Sequence, residues 1–340
     1  MQSINIQSKT SFSFLRTILC LLVIYDHTGI LTGAWKSTNL SVVFSVPAFF
    51  ILSGFWVTKS YLSSSSIKEY SFKRIKKIFP EYLAVVLVCA FGFVFFSSLN
   101  MHDYFVNAGF VKYLLANIST LNFICNSLPG INVPYGINGS LWTIKVELGF
   151  YIILPFILMI IKKKISCDSV DRNVGGGYKN LFIIVLYFIS VLCSLFLPFL
   201  FSKYGLPTSL NNQLPSLFCY FAAGMLCFFN LDLLLKCGKF VILPAVFFCI
   251  LYYIFRLDFL FIFYPLSLAI VIIWIGFKFT HFSSLRDYSY GMYLTHFPII
   301  NILSFSNLFS LHPGTGLLIV IALSFCCSYW MISLEKKFIK

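Results

Sequence analysis

Arg16, Asp26 and His27 sit in an otherwise apolar run near the N-terminus. An ionisable side chain inside such a run costs about 2.5–3.5 kcal/mol to place in a membrane, so each one calls for a function or a partner. Arg16 and His27 are eleven residues apart. That is almost three helical turns, which puts both on one face with a rise of about 16 Å between them. An imidazole exchanges protons near neutral pH and is suited to general base work. The alternative is that Arg16 snorkels to the membrane surface and His27 donates to a helix carbonyl. Asp26, about 100° further round the helix, is expected to face a neighbouring helix or external water. Glu147 follows Trp142 in a later apolar run and could pair with His27, fixing its tautomer. The alternative is a contact with Lys145 or the backbone. Arg74 and Lys77 are three residues apart, hence on one helical face. They suit a cytoplasmic phosphate, Arg by a planar fork and Lys by a point charge, or serve only as a membrane anchor. His296 lies in a late apolar run beside Pro298, as a second functional histidine or a local packing residue. No Cys or Ser sits in a nucleophile motif, and no metal-ligand spacing is present, so no metal is expected.

The elements carrying these residues follow from composition. Of 340 residues, 59% are hydrophobic and only 11% charged, with 41 Phe and 19 Tyr. Soluble domains carry about 25% charged residues, and disordered chains are poor in aromatics, so both classes are excluded. A span needs about 20 mainly apolar residues. Ten stretches meet that length: 14–34, 40–57, 79–99, 141–161, 181–201, 213–230, 240–255, 259–277, 288–305 and 316–334. The seventh and eighth read as a tight hairpin about Arg256–Asp258. Pro80 reads as a residue of the first turn of its span. The expected fold is an all-α integral membrane protein with about ten transmembrane helices, forming one domain over 1–340. The connection 61–78 is expected to be a long cytoplasmic loop. The connection 100–140 is external, with short interfacial helices or a re-entrant lid. Residues 162–180, with Gly175–Gly177, read as a flexible connector. The 11 cysteines read as small buried hydrophobes.

The net charge of +14 would suggest nucleic acid in a soluble protein. Here it orients the chain. With residues 1–13 as a cytoplasmic tail and alternating spans, 20 Lys and Arg fall on the cytoplasmic side, counting Arg16 near that face. Five, Lys36, Lys112, Lys145, Lys203 and Arg256, fall outside, as the positive-inside rule requires. Both termini are then cytoplasmic, and no nucleic-acid partner is expected.

An ordered set of motifs resembles the membrane-bound acyltransferase 3 family. Arg16 and His27 match its R-x10-H, and Phe49-Phe50-Ile51-Leu52-Ser53-Gly54-Phe55 matches F-F-x-L-S-G-F. Arg74 to Tyr82 matches R-x-x-R-I-x-P-x-Y, with Lys77 in place of the second arginine. Leu141-Trp142-Thr143 through Glu147 to Phe150-Tyr151 and Pro155 matches L-W-S-L-x-x-E-x-x-F-Y…P. Ser289 to Pro298, with Tyr293 and His296, matches S-Y-x-x-Y-L-x-H-x-P. The resemblance implies an enzyme of the bacterial inner membrane that moves an acyl group, usually acetyl from cytoplasmic acetyl-CoA, to a hydroxyl. The expected acceptor is a lipid-linked or surface polysaccharide such as O-antigen or exopolysaccharide, with membrane lipid around the enzyme. It makes His27 the catalytic histidine, Glu147 its acidic partner and Arg16 a further catalytic residue, with Arg16, Arg74, Lys77 and Tyr82 forming the coenzyme A and active-site framework. It also implies the form of the family without an appended hydrolase-like domain. Rival readings keep the fold but change the acyl group or acceptor, or make the chain a transporter or lipid-linked-sugar flippase. Transporters often show matched repeats, which the sequence lacks.

Overall fold

The computed structural model describes residues 10–167, 174–283 and 285–338. Lys9, Arg172 and Lys340 of the charge argument, and most of the 1–13 tail, lie outside the described residues. In chain order the helices are α1 (Phe12–Thr32), α2 (Val46–Leu62), α3 (Ile67–Gly92), α4 (Met101–Val106), α5 (Ala108–Ile118), α6 (Trp142–Cys167), α7 (Val174–Lys203), α8 (Leu214–Phe229), α9 (Leu231–Cys237), α10 (Lys239–Phe255), α11 (Asp258–Phe261), α12 (Tyr264–Lys278), α13 (Ser289–Ser304), α14 (Leu308–Leu311) and α15 (Pro313–Phe338). A π-helical turn, Ser41–Ser45, leads into α2. No strand occurs among the described residues. This suits a membrane, where a helix satisfies its own backbone groups. Seven helical stretches are long and apolar enough to cross a bilayer, and the bent pair α9–α10 makes up to eight. Ala108–Ile118 and Tyr264–Lys278 are shorter apolar helices.

Two expected connections change. α3 begins at Ile67, so the loop expected over 61–78 shrinks to the few residues between α2 and α3. Pro80 accordingly lies inside α3, where neighbouring groups in a membrane bundle can meet the freed carbonyl. α7 begins at Val174, so Gly175–Gly177 are its first turn and not a flexible connector. The 100–140 region holds α4, α5 and an irregular segment after them. The expected hairpin about Arg256 is present, with α11 interposed and Tyr252 stacked on Tyr264 at 4.2 Å between centroids.

The chain divides into two compact units. The first comprises residues 1–12, 42–71 and 146–285. At its centre α2 and α8 approach so closely that a Cβ on Gly54 would meet the Phe221 carbonyl, and one on Gly224 the Ile51 carbonyl. Small residues permit such backbone approach between membrane helices. Phe50 packs edge-on against Phe150 at 5.3 Å, and Phe55 against Phe228 at 5.4 Å. Much of the F-F-x-L-S-G-F motif is therefore a packing seam. The second unit comprises 13–41, 72–145 and 286–340. There α13 packs on α15 at Gly291, whose added Cβ would press on Ser328. Ser328 Oγ donates to the Tyr288 carbonyl at 2.7 Å.

Candidate active site

The second unit brings the two membrane histidines together. His27 Nδ1 lies 2.8 Å from His296 Nε2, the rings stacked at 5.1 Å with an interplanar angle of 12°. His296 Nδ1 lies 2.7 Å from the Tyr293 carbonyl. A carbonyl only accepts, so His296 Nδ1 carries its proton. A neutral imidazole has one donor and one acceptor, so His296 Nε2 accepts and His27 Nδ1 donates. The unprotonated nitrogen of His27 is then Nε2, the atom that can take a proton. His296 is fully buried and His27 half-buried, which makes His27 the outer member of the pair. Phe297 sets its edge against the His27 ring at 5.6 Å.

A second contact joins the same two segments. Arg16 Nη1 meets Asp287 Oδ2 at 2.9 Å. Asp287 Oδ1 accepts from the Ser289 amide at 3.1 Å and hydroxyl at 2.5 Å, anchoring the first turn of α13. Burial pushes the Asp287 carboxyl up, but the Arg16 charge and the Ser289 hydrogen bonds outweigh it and hold the group below its ordinary value. Residue numbers ascend together along both contacts, so α1 and α13 run parallel. The spacing of Arg16 and His27 thus meets its counterpart in Asp287 and His296. Asp287 escaped the sequence reading because it precedes the apolar run; its signal was a carboxylate two residues before Ser289.

The segment Gly136–Thr143 is strapped to α13 beside the histidines. Asn138 Nδ2 donates to the Leu294 carbonyl at 2.8 Å, and Asn301 Nδ2 to the carbonyls of Gly136 and Ile137, each at 3.0 Å. Tyr293 Oη donates to the Ser140 carbonyl at 3.1 Å and lies 2.8 Å from Thr143 Oγ1. A Cβ on Gly139 would press on the Phe297 ring at 2.7 Å. Asn138 and Asn301, both about 1% exposed, were not singled out by sequence. For Asn301 the available signal was a lone amide in an apolar run, whereas Asn138 lies in a Gly- and Asn-rich connection.

Asp26 is fully buried and does not face external water. It accepts from Thr38 N at 2.9 Å, Thr38 Oγ1 at 2.8 Å, Ser41 N at 2.7 Å and Ser37 Oγ at 3.2 Å. It folds the chain after α1 and starts the π-helical turn.

On α3, Arg74 is half-buried and Lys77 exposed. Tyr290, in the first turn of α13, donates to the Ile78 carbonyl at 3.0 Å. The basic stretch of α3 is thereby tied to the end of α13 where Arg16 meets Asp287. Tyr82 is 1% exposed and donates its hydroxyl to the Asn117 carbonyl at 2.7 Å. It joins α3 to α5 through that hydrogen bond.

Glu147 belongs to the first unit, where Ser53 Oγ lies 2.9 Å from Oε1 and the Tyr151 hydroxyl donates to the same oxygen. Tyr70 donates to the Tyr151 carbonyl at 3.0 Å. Three motif residues, Ser53, Glu147 and Tyr151, therefore form one cluster. Within the second unit His27 pairs with His296, and within the first Glu147 pairs with Ser53 and Tyr151. Lys145, the other suggested partner, places its ammonium 4.6 Å from the Phe123 ring centroid. Trp142 is the first residue of α6 and half-buried.

The chain matches the family model described as an acyltransferase domain over residues 9–333. It is 29% identical over 170 residues to Nodulation protein 10 of Rhizobium leguminosarum bv. viciae, covering 45% of each chain. It is 26% identical over 146 residues to an O-acetyl transferase of Shigella phage Sf6, covering 42% of this chain and 44% of the relative. An uncharacterized protein of Haemophilus influenzae is 28% identical over 129 residues, 36% of this chain and 49% of that one. The matched region spans less than half the length of each of these relatives. No solved structure matches. With the family model matching almost end to end and its motif residues gathered in both units, the chain belongs to the acyltransferase 3 family.

Proposed function

We propose that the protein transfers an acyl group, acetyl from cytoplasmic acetyl-CoA, to a sugar hydroxyl of a lipid-linked or surface polysaccharide at the bacterial inner membrane. The observation that carries this reading is the tautomer of His27. With Nδ1 donating to His296, Nε2 accepts the proton of the acceptor hydroxyl. The sugar oxygen attacks the thioester carbonyl, and the tetrahedral intermediate collapses by breaking the C–S bond. The departing thiolate takes the proton from His27 Nε2, so the base is regenerated. His296 stabilises the transient imidazolium by accepting from Nδ1. Arg74 and Lys77 supply cationic groups for the coenzyme phosphates, while Arg16, paired with Asp287, positions the end of α13.

Ten spans fit this reading. The seven long stretches, the bent α9–α10 pair, α12 and α13 add to ten. The parallel course of α1 and α13 agrees with first and ninth spans. Cytoplasmic termini then follow from the positive-inside count. The phage relative, an O-acetyl transferase by name, favours acetyl over other acyl groups and an oxygen acceptor.

The test is expression in a host that lacks the protein, with alkali-labile acetyl on its polysaccharide measured by NMR. Wild type adds acetyl and His27→Ala does not. Well-expressed wild type without acetyl gain overturns the proposed reaction; full activity in His27→Ala overturns the base assignment.

A further inference from the structure

A cleft of about 480 Å³ opens in the first unit, at the shared end of α2, α6, α7 and α8. Lys162 and Lys179 line it, with Leu158, Met159 and Phe229 as apolar wall. No carboxylate lines it among the described residues. The nearby Glu69 is turned onto Ser65, whose amide and hydroxyl donate to Oε2 at 2.7 and 2.6 Å. Lys179 holds its ammonium 4.6 Å from the Phe229 ring centroid. Lys162 closes the apolar stretch of α6, and Lys179 precedes that of α7. An exposed apolar stripe, Ile152, Phe156, Met159 and Ile160, leads along α6 to the cleft. Its spacing of four and three to four residues keeps it on one helical face.

We infer that this cleft binds an anionic phospholipid, its phosphate between Lys162 and Lys179 and an acyl chain along the α6 stripe. Among the described residues the two cations of the cleft face no acid, an arrangement that attracts an anion. A soluble phosphate would leave the apolar wall of Leu158, Met159 and Phe229 uncovered, whereas a phospholipid covers it. Lysines at the end of an apolar helical stretch lie at headgroup depth, where each contributes to attraction of anionic lipid. Their role then goes beyond orienting the chain. The inference does not rest on the proposed transfer reaction.

The test is native mass spectrometry of the full chain released from mixed phosphatidylcholine and phosphatidylglycerol nanodiscs. Wild type retains phosphatidylglycerol preferentially, and Lys162→Gln/Lys179→Gln lowers that preference about tenfold or more. Lys162→Arg/Lys179→Arg retains it, which separates loss of charge from loss of fold. Should the Gln pair fail to fold, Lys179→Gln alone shows a smaller loss in the same measurement. An unchanged preference in the Gln variants, or an equal loss in the control Lys203→Gln, overturns the inference. Coenzyme A is the soluble probe. If it displaces the lipid, and its binding is lost in the Gln pair but kept in Arg74→Gln, the cleft is a donor site and the lipid assignment fails.

Discussion

At the residue scale, the histidine pair yields the sharpest expectations. His27→Ala removes the base and lowers transfer by about 10²–10⁴-fold. His296→Ala leaves the base but frees its ring, lowering kcat by about a hundredfold with little change in KM. Steady-state kinetics on both and on the double variant check this, with the double no slower than His27→Ala because the two act as a unit. The Arg16–Asp287 pair makes a pH prediction. The Asp287 carboxyl is held below its ordinary value, so its stabilisation is present above that value and fades as pH falls through the lowered one. Asp287→Asn should lower stability at neutral pH by about 1–2 kcal/mol, allowing for partial exposure. Its deficit against wild type should close in acid, read as melting temperature in detergent against pH. Arg16, His27 and His296 were legible because ionisable groups stand out in apolar runs. Their partners were not, because hydropathy says nothing about which helix packs against α1. The same blindness left Asp287, Asn138 and Asn301 unmarked.

At the element scale, the helices stand where their glycines and buried amides allow. Gly54→Ala would press a methyl on the Phe221 carbonyl, which cannot rotate away. Overpacking of this kind costs about 1–3 kcal/mol, so the variant should melt lower and express poorly. Gly139→Ala presses on the Phe297 ring at 2.7 Å, a side chain that can shift, and touches Tyr135 Cβ at 3.4 Å. It should leave the melting temperature nearly unchanged but reduce transfer, because Phe297 packs on His27. Asn301→Leu leaves two carbonyls of the strap unpaired and should cost about 1–3 kcal/mol, with activity falling alongside stability. The apolar runs located most helices, but their ends were less legible. The first turns of α3 are polar and basic, so hydropathy reads them as loop; they are nonetheless helical from Ile67. Gly175–Gly177 misled in the same direction, since glycine disfavours a helix by only about 1 kcal/mol each and the apolar run behind them continues the helix.

For the whole molecule, topology is the remaining expectation. Single cysteines introduced between α2 and α3 should react with a membrane-impermeant thiol reagent only from the cytoplasmic side. Cysteines at Thr120 or Phe123 should react only from the outside; the reverse pattern would invert the topology. Composition by itself determined that the chain is helical and lives in a membrane, because so few charges over so many apolar residues leave no other solvent. The ordered motifs determined the family, and the lone ionisable residues marked where chemistry could occur. Only the tertiary structure decided who partners whom. His27 meets His296, Glu147 meets Ser53 and Tyr151, and Asp26 turns inward to hold its own loop. Such choices depend on crossing positions of helices far apart in sequence, which no local pattern records. A buried polar group needs a partner, but packing selects which one.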